Sequence, residues 1–425
     1  MKIEKIKSFE ILDSRGRPTL MAKCKLVTGH TGCASVPSGA STGRAEAVEL
    51  RDHDLTRYGG LGCKKAVRNI NETINAAVVH EEFANQKEFD EFLLKLDGTP
   101  DKSNLGANAI LACSVAFAKT SALALDKPLY EYFGSLIGLN SFRLPRVTIN
   151  LFSGGKHAGG QIPLQDLLIV PVSAKTMDES LANVYAVYQA ATKLIKDKYR
   201  MRALTADEGG LAPEFKSVNH MLDDALNAIQ MAGLEPGKDI SIALDVASSH
   251  FYIDGYYKIN NQLLDSTEMI EVIAGWVDEY PIISVEDGLA EDDWKFWPLL
   301  HNTIEKRALV LGDDLLCTQV KRIQKAIKTG AANALLLKVN QCGSLTEAAA
   351  AYELAKSQGW QVTVSARSGE TEDNWLADLA VGWSGDQIKI GSITQSERLA
   401  KYNRLLEIEV EHEFYLNPWP SRELI

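Results

Sequence analysis

The chain has 425 residues, 45% of them hydrophobic and 24% charged, the usage expected of a globular enzyme. Its formal net charge of −11 excludes a general basic surface for nucleic acid, so an anionic ligand would need a local cluster of cations or metal. At this length one small core is insufficient, and two domains, one of them large, are expected.

Six cysteines (Cys24, Cys33, Cys63, Cys113, Cys317, Cys342) form no CxxC pair and no metal-like spacing with histidine. That pattern predicts free thiols in a reducing compartment. The first seven residues lack the apolar core of a signal peptide, and no run of about 20 apolar residues occurs. A cytoplasmic protein bound to neither membrane nor nucleic acid is the expectation.

In chain order, Ile3 to Leu12 and Thr19 to Thr28 alternate enough to predict a hairpin. Ala66 to Val79, Gln86 to Leu96 and Ala107 to Leu125 have helical periodicity. Together they predict an α+β cap over residues 1–138. Gly138 to Pro145 reads as a linker. From Val147 onward, apolar strands alternate with helices at Asp178 to Tyr199, His220 to Ala232, Ser266 to Glu279, Val320 to Thr329 and Leu345 to Gln358. Repeated strand–helix units over 139–425 predict a (β/α)8 barrel. A doubly wound sheet is the alternative, but no GxGxxG follows a strand, which argues against a dinucleotide fold. The end, Asn417 to Ile425, is expected to be irregular.

Four apolar runs in the second half end in a charge: Ser241-Ile-Ala-Leu-Asp245, Ile282-Ile-Ser-Val-Glu286, Ala308-Leu-Val-Leu-Gly-Asp313 and Ala334-Leu-Leu-Leu-Lys338. Runs of this length predict buried parallel strands, whose C-terminal ends form the active face of a barrel. A single acid at a strand end is usually a solvated loop residue or a helix cap. The gaps of 41, 27 and 25 residues each hold one strand–helix unit, the first with an added hairpin around Tyr252 to Lys258. Recurrence at successive strand ends therefore predicts a cage of Asp245, Glu286 and Asp313 suited to Mg²⁺. Lys338, in too apolar a run for a surface lysine, is either a snorkelling side chain or a base made neutral by desolvation and nearby cations. The combination suits removal of a proton beside a carboxylate, with metal stabilising the enediolate.

Other segments have a plain and a functional reading. Thr205-Ala-Asp-Glu-Gly-Gly210 is a turn, or it places Glu208 as an acid facing the metal. Ser38-Gly-Ala-Ser-Thr-Gly43 is a flexible linker, or a lid whose Ser41 reaches a metal or phosphate. Gly154-Gly-Lys-His-Ala-Gly-Gly160 is a second candidate lid, with His157 either solvated or touching substrate. Arg367 and Ser368 could clamp a phosphate, joined by Lys389; a structural ion pair with the acidic Glu370 to Asp373 is the other possibility.

These segments, with Val285-Glu-Asp287, Glu291-Asp-Asp-Trp294, Gly312-Asp-Asp-Leu315, Leu337-Lys-Val-Asn-Gln341 and Arg367-Ser-Gly-Glu-Thr-Glu-Asp373, resemble in order and spacing the enolase (phosphopyruvate hydratase) family. The resemblance covers nearly the whole length. It implies an N-terminal α+β domain capping a modified (β/α)8 barrel, usually a homodimer, and Mg²⁺-dependent reversible dehydration of 2-phosphoglycerate. It further implies that Asp245, Glu286 and Asp313 hold one metal and Ser41 helps hold a second. Lys338 would remove the C2 proton, and Glu208 would protonate the leaving hydroxyl. Arg367 and Ser368 would bind phosphate, and His157, Asp166 and Lys389 would line the substrate.

Six positions depart from the family pattern. Ala366 stands where the family motif has His, and Asp166 where Glu is usual. Thr205-Ala206 replaces Val-Gly, His250 replaces Glu, and Gln319 replaces Asn. Ala366 and Asp166 are expected on the acid side, near the departing hydroxyl, where a lost hydrogen-bond donor is worth about 1–3 kcal/mol. The resulting expectation is an enolase whose enolate forms normally and whose leaving-group departure is altered, or a paralogue acting on a related phosphorylated or phosphonylated three-carbon acid. A non-catalytic scaffold is the alternative from another class, disfavoured because a scaffold has no use for a costly buried cluster of acids.

Overall fold

Alternating side chains over Ile3–Leu12 (β1) and Pro18–Leu26 (β2) pair antiparallel, with Ile11 opposite Thr19, and Thr31–Ser35 (β3) adds an antiparallel edge. The hairpin expectation is met. The structure is a computed structural model and describes residues 1–40, 43–259 and 262–418. The helix Ala107–Ala124 is apolar nearly all round, and so it is buried, packed on β2 and β3. Helical structure also covers Lys64–Val78, with a π-helical stretch at Asn69–Ile74, and Gln86–Asp97.

After Leu144, which bridges to Leu416, the chain enters the barrel at Arg146–Ser153 (β4), buried throughout. Asp166–Val170 (β5) and Ser241–Asp245 (β6) follow. Tyr252–Ile253 (β7), Tyr256–Ile259 (β8) and Gln262–Leu264 (β9) form a small antiparallel sheet, the expected hairpin with one strand more. Ile282–Glu286 (β10), Leu309–Gly312 (β11), Ala334–Leu337 (β12), Gln361–Ser365 (β13) and Gln387–Gly391 (β14) complete a closed barrel in the order β10-β11-β12-β13-β14-β4-β5-β6.

One strand breaks the parallel series: β5 runs antiparallel to both β4 and β6. A parallel crossover needs a dozen or more residues, usually a helix. The stretch 154–165 instead carries Gly154, Gly155, Gly159, Gly160 and Pro163 and makes only a 3₁₀ turn at Gly155–Ala158. The chain therefore doubles straight back. This reversal has a consequence for the site, because Asp166, the first residue of β5, lies opposite both Ser153 and Asp245 at the C-terminal rim.

The helices that cover the barrel start where side chains cap them: Thr176 before Met177–Leu194, Ser217 before Val218–Met231, Ser344 before Leu345–Ser357, and Asp265 in a capping box with Glu268. Gln319, at the start of Val320–Thr329, makes no side-chain cap and donates instead to the Gln341 carbonyl (3.3 Å). All six cysteines are free.

Candidate active site

Three of the four charged strand ends meet by register. Glu286 lies beside Asp245 across the β10–β6 ladder, and β11 delivers Asp313 next to them. All three carboxylates are buried. Their supports are specific. Asp287 accepts from the backbone N–H groups of Asp313 (3.0 Å) and Asp314 (2.8 Å), Gln341 donates to Asp313 Oδ1 (2.8 Å), and Gln165 donates to Asp245 Oδ2 (3.2 Å).

The three expected ligands do not form the tightest acidic group. Oxygens of Asp287, Asp313 and Asp314 lie within 4.8 Å of one another, as do ligand atoms of His157, Asp166 and Glu208. Asp245 and Glu286 instead face the Lys389 ammonium, which donates to Asp245 Oδ2 (2.8 Å) and to both Glu286 oxygens (2.9 and 2.7 Å). Burial, reinforced by Asp245, pushes the Glu286 carboxyl well above its ordinary range, and burial with Asp313 lifts Asp314 to about 7. Acids crowded enough to favour protonation are a donor set that a hard divalent cation fits.

Lys338 follows β12 and bonds Asp313 Oδ2 directly. Burial works to lower its pKa, as expected. Asp313 and Glu286 together outweigh it, however, and the net shift is upward. The expectation of a neutral lysine is corrected for the arrangement seen here. The Arg367 guanidinium lines the same pocket and donates to Glu46 (2.9 and 3.3 Å) and to Asn340 Oδ1 (3.0 Å). Ser368 Oγ accepts from Arg15 (3.1 Å) and from the Ala40 backbone N–H (2.9 Å). Arg15, Ala40 and Glu46 belong to the cap, so the cap closes one wall of the pocket. Ser41 lies outside the described residues.

His157 and Glu208 form a further wall of this pocket, which Ala366 also lines. Asp166 is not on its surface: it is fully buried behind His157 and does not line the pocket, which corrects its placement as a substrate contact. Its Oδ2 pairs with His157 Nδ1 (2.9 Å), and its Oδ1 accepts from Ser153 Oγ (2.6 Å). Burial alone would lower the His157 pKa, but Asp166, with Glu208 and Asp245 behind it, raises it to about 9. Burial in turn lifts the Asp166 carboxyl while the imidazolium pulls it back, so proton release belongs to the pair. Burial would also raise Glu208, but His157, Arg398, Lys389 and Lys338 hold it below its ordinary value, and Asn150 donates to it (3.0 Å). The proton on this wall belongs to the His157–Asp166 pair rather than to Glu208.

That pairing makes stability depend on pH. The raised His157 pKa contributes stability that is complete below the ordinary value near 6.5 and is lost as pH rises through about 9. The melting temperature of the protein should fall by a few degrees across that window. In His157→Gln the same decline should be absent. Parallel melting curves for the two proteins between pH 6 and 10 would contradict the pairing.

Several supports were not singled out from the sequence: Gln165, Asn150, Arg15, Glu46 and Arg398. Asp287 and Gln341 stood inside quoted motifs without a role. Arg398, fully buried on the helix Ser396–His412, donates to the carbonyls of Arg367 (2.7 Å), Ile390 (3.0 Å) and Ser368 (2.6 Å). Lys156 lines a neighbouring cavity rather than this pocket, so it does not fill the space left at Ala366.

A closed barrel with clustered acids and lysines at its C-terminal rim, under an α+β cap, is the architecture of a barrel enzyme with its site at the strand ends. Residues 3–133 match the family model for the enolase N-terminal domain, and residues 141–414 match that for the enolase C-terminal TIM barrel domain. The chain belongs to the enolase family and is a hydro-lyase of that family.

Proposed function

We propose that the protein catalyses the Mg²⁺-dependent, reversible loss of water from a phosphorylated or phosphonylated 3-hydroxy acid, of which 2-phosphoglycerate is the simplest. The carrying observation is the convergence of Asp245, Glu286 and Asp313 from adjacent strands, with Lys338 on Asp313 from the next strand. Mg²⁺ held by the three acids would supply charge for the enediolate. Lys338 takes the C2 proton; Asp313, which it bonds here, would be one of the residues that hold the metal. Arg367 and Ser368 face the phosphoryl or phosphonyl group, and Lys389 lies beside the acids where a substrate carboxylate would approach. His157, with Glu208 next to it, protonates the departing hydroxyl.

Ala366 favours a chain specialised away from the simplest substrate, because it lines the pocket and its side chain offers no donor there. Two rates with 2-phosphoglycerate test both parts: exchange of the C2 hydrogen with solvent, followed by NMR in D₂O, and release of phosphoenolpyruvate. Exchange should outrun release, and chelation of divalent metal should stop both. Ala366→His should raise release relative to exchange by about tenfold, the worth of one restored hydrogen bond. Release as fast as exchange in the unaltered protein would remove the altered acid wall. If neither 2-phosphoglycerate nor its phosphonate analogue exchanges, the dehydration reading fails.

A further inference from the structure

Next to the catalytic pocket lies a second cavity of about 680 Å³, and His250 is the one described residue that lines both. Three lysines face this outer cavity, Lys156, Lys216 and Lys258, and no acidic side chain does so among the described residues. None of the three makes an ion pair or a side-chain hydrogen bond among the described residues. In a chain of net charge −11, three ammoniums converging without a partner are a local reversal of sign, which concentrates anions. Ile162 and Phe251, both buried, supply an apolar floor. The Gly159-Gly160 backbone leaves the rim open, with nothing within 4 Å of where either Cβ would sit.

His250 itself asks for a ligand. Its Nδ1 is buried and has no hydrogen-bond partner, which costs free energy unless something fills that role. The inner pocket has only about 30 Å³ of free space, against about 680 Å³ outside. A hydroxymethyl carbon needs none of the outer volume. We infer that the outer cavity is the binding site for a second carboxylate of the substrate, carried on the carbon that loses its hydroxyl and held by Lys156, Lys216 and Lys258 past His250. The inference rests on the dehydration reading and names its substrate class: 2-phospho-3-hydroxy dicarboxylic acids. The reaction stays balanced. The C2–H bond breaks and its proton goes to Lys338. The C3–O bond breaks, the hydroxyl takes a proton and departs as water, and the C2–C3 double bond forms.

Phosphotartrate, which is 2-phosphoglycerate with a carboxylate on C3, is the probe. Calorimetry should show it binding the Mg²⁺-loaded protein at least tenfold more tightly than 2-phosphoglycerate. The Lys216→Ala/Lys258→Ala double variant, altered only at exposed side chains outside the catalytic pocket, should lose most of that difference and bind 2-phosphoglycerate unchanged. In turnover the same preference should appear in kcat/KM and vanish in the double variant. Equal binding of the two acids by the unaltered protein would overturn the inference. So would a double variant that weakens both acids alike, since that marks general steering of anions. A binding difference that persists while neither acid is dehydrated would defeat the dehydration reading and leave the carboxylate site standing.

Discussion

Lys338→Met is expected to abolish exchange of the substrate C2 hydrogen, lowering kcat by a factor of about 10³ or more, or roughly 4 kcal/mol of barrier. Methionine keeps the length and apolar stem of the side chain and removes only the group that can carry a proton. Because the Lys338 ammonium bonds Asp313, its removal also frees one carboxylate oxygen of the proposed metal cage. Mg²⁺ affinity should therefore hold or rise in the variant while exchange disappears. A purely structural lysine would show the opposite pattern, with a destabilised Asp313, weaker metal binding and residual exchange. Titration calorimetry with Mg²⁺ and NMR in D₂O on the same preparation separate the two. Exchange above about a tenth of the unaltered rate would remove Lys338 as the base.

Arg398→Met is expected to cost about 3–5 kcal/mol of stability and to raise KM for a phosphorylated substrate. Arg398 is fully buried and donates to three carbonyls, those of Arg367, Ile390 and Ser368. Each buried acceptor left without a donor costs about 1–3 kcal/mol, and methionine fills the volume without replacing any of them. Arg367 and Ser368 line the pocket, and this guanidinium, with Ser14 and Arg15, fixes the segment that presents them. Urea unfolding measures the first effect and steady-state kinetics the second. A loss below about 1 kcal/mol would mean that water or a shifted backbone satisfies the carbonyls.

The strands that carry the acids could be read from local sequence because short, wholly apolar runs bounded by charge have few other folds. Asp245, Glu286 and Asp313 stand at the ends of β6, β10 and β11 as the spacing implied, and the matched family domains agree with that frame. The helix boundaries were similarly local, set by caps such as Thr176, Ser344 and Asp265. The departure at Ala366 was visible only against the family motif that the resemblance supplies.

The partners of those residues could not be read in this way. Lys389 reaches Asp245 and Glu286 across separations of 144 and 103 residues, and only closure of the barrel brings β14 within reach of that rim. Asp166 was expected at the substrate because the family resemblance implied it; the reversal of β5 buries it behind His157. The functional reading of Lys338 made it neutral through desolvation and nearby cations. The carboxylates that together reverse the shift, Asp313 and Glu286, come from other strands. Local hydrophobic pattern is enough to specify strands, caps and the chemical types available. Charge states and contacts depend on distances between residues far apart in the chain, and electrostatic energies at those distances are large in a buried site.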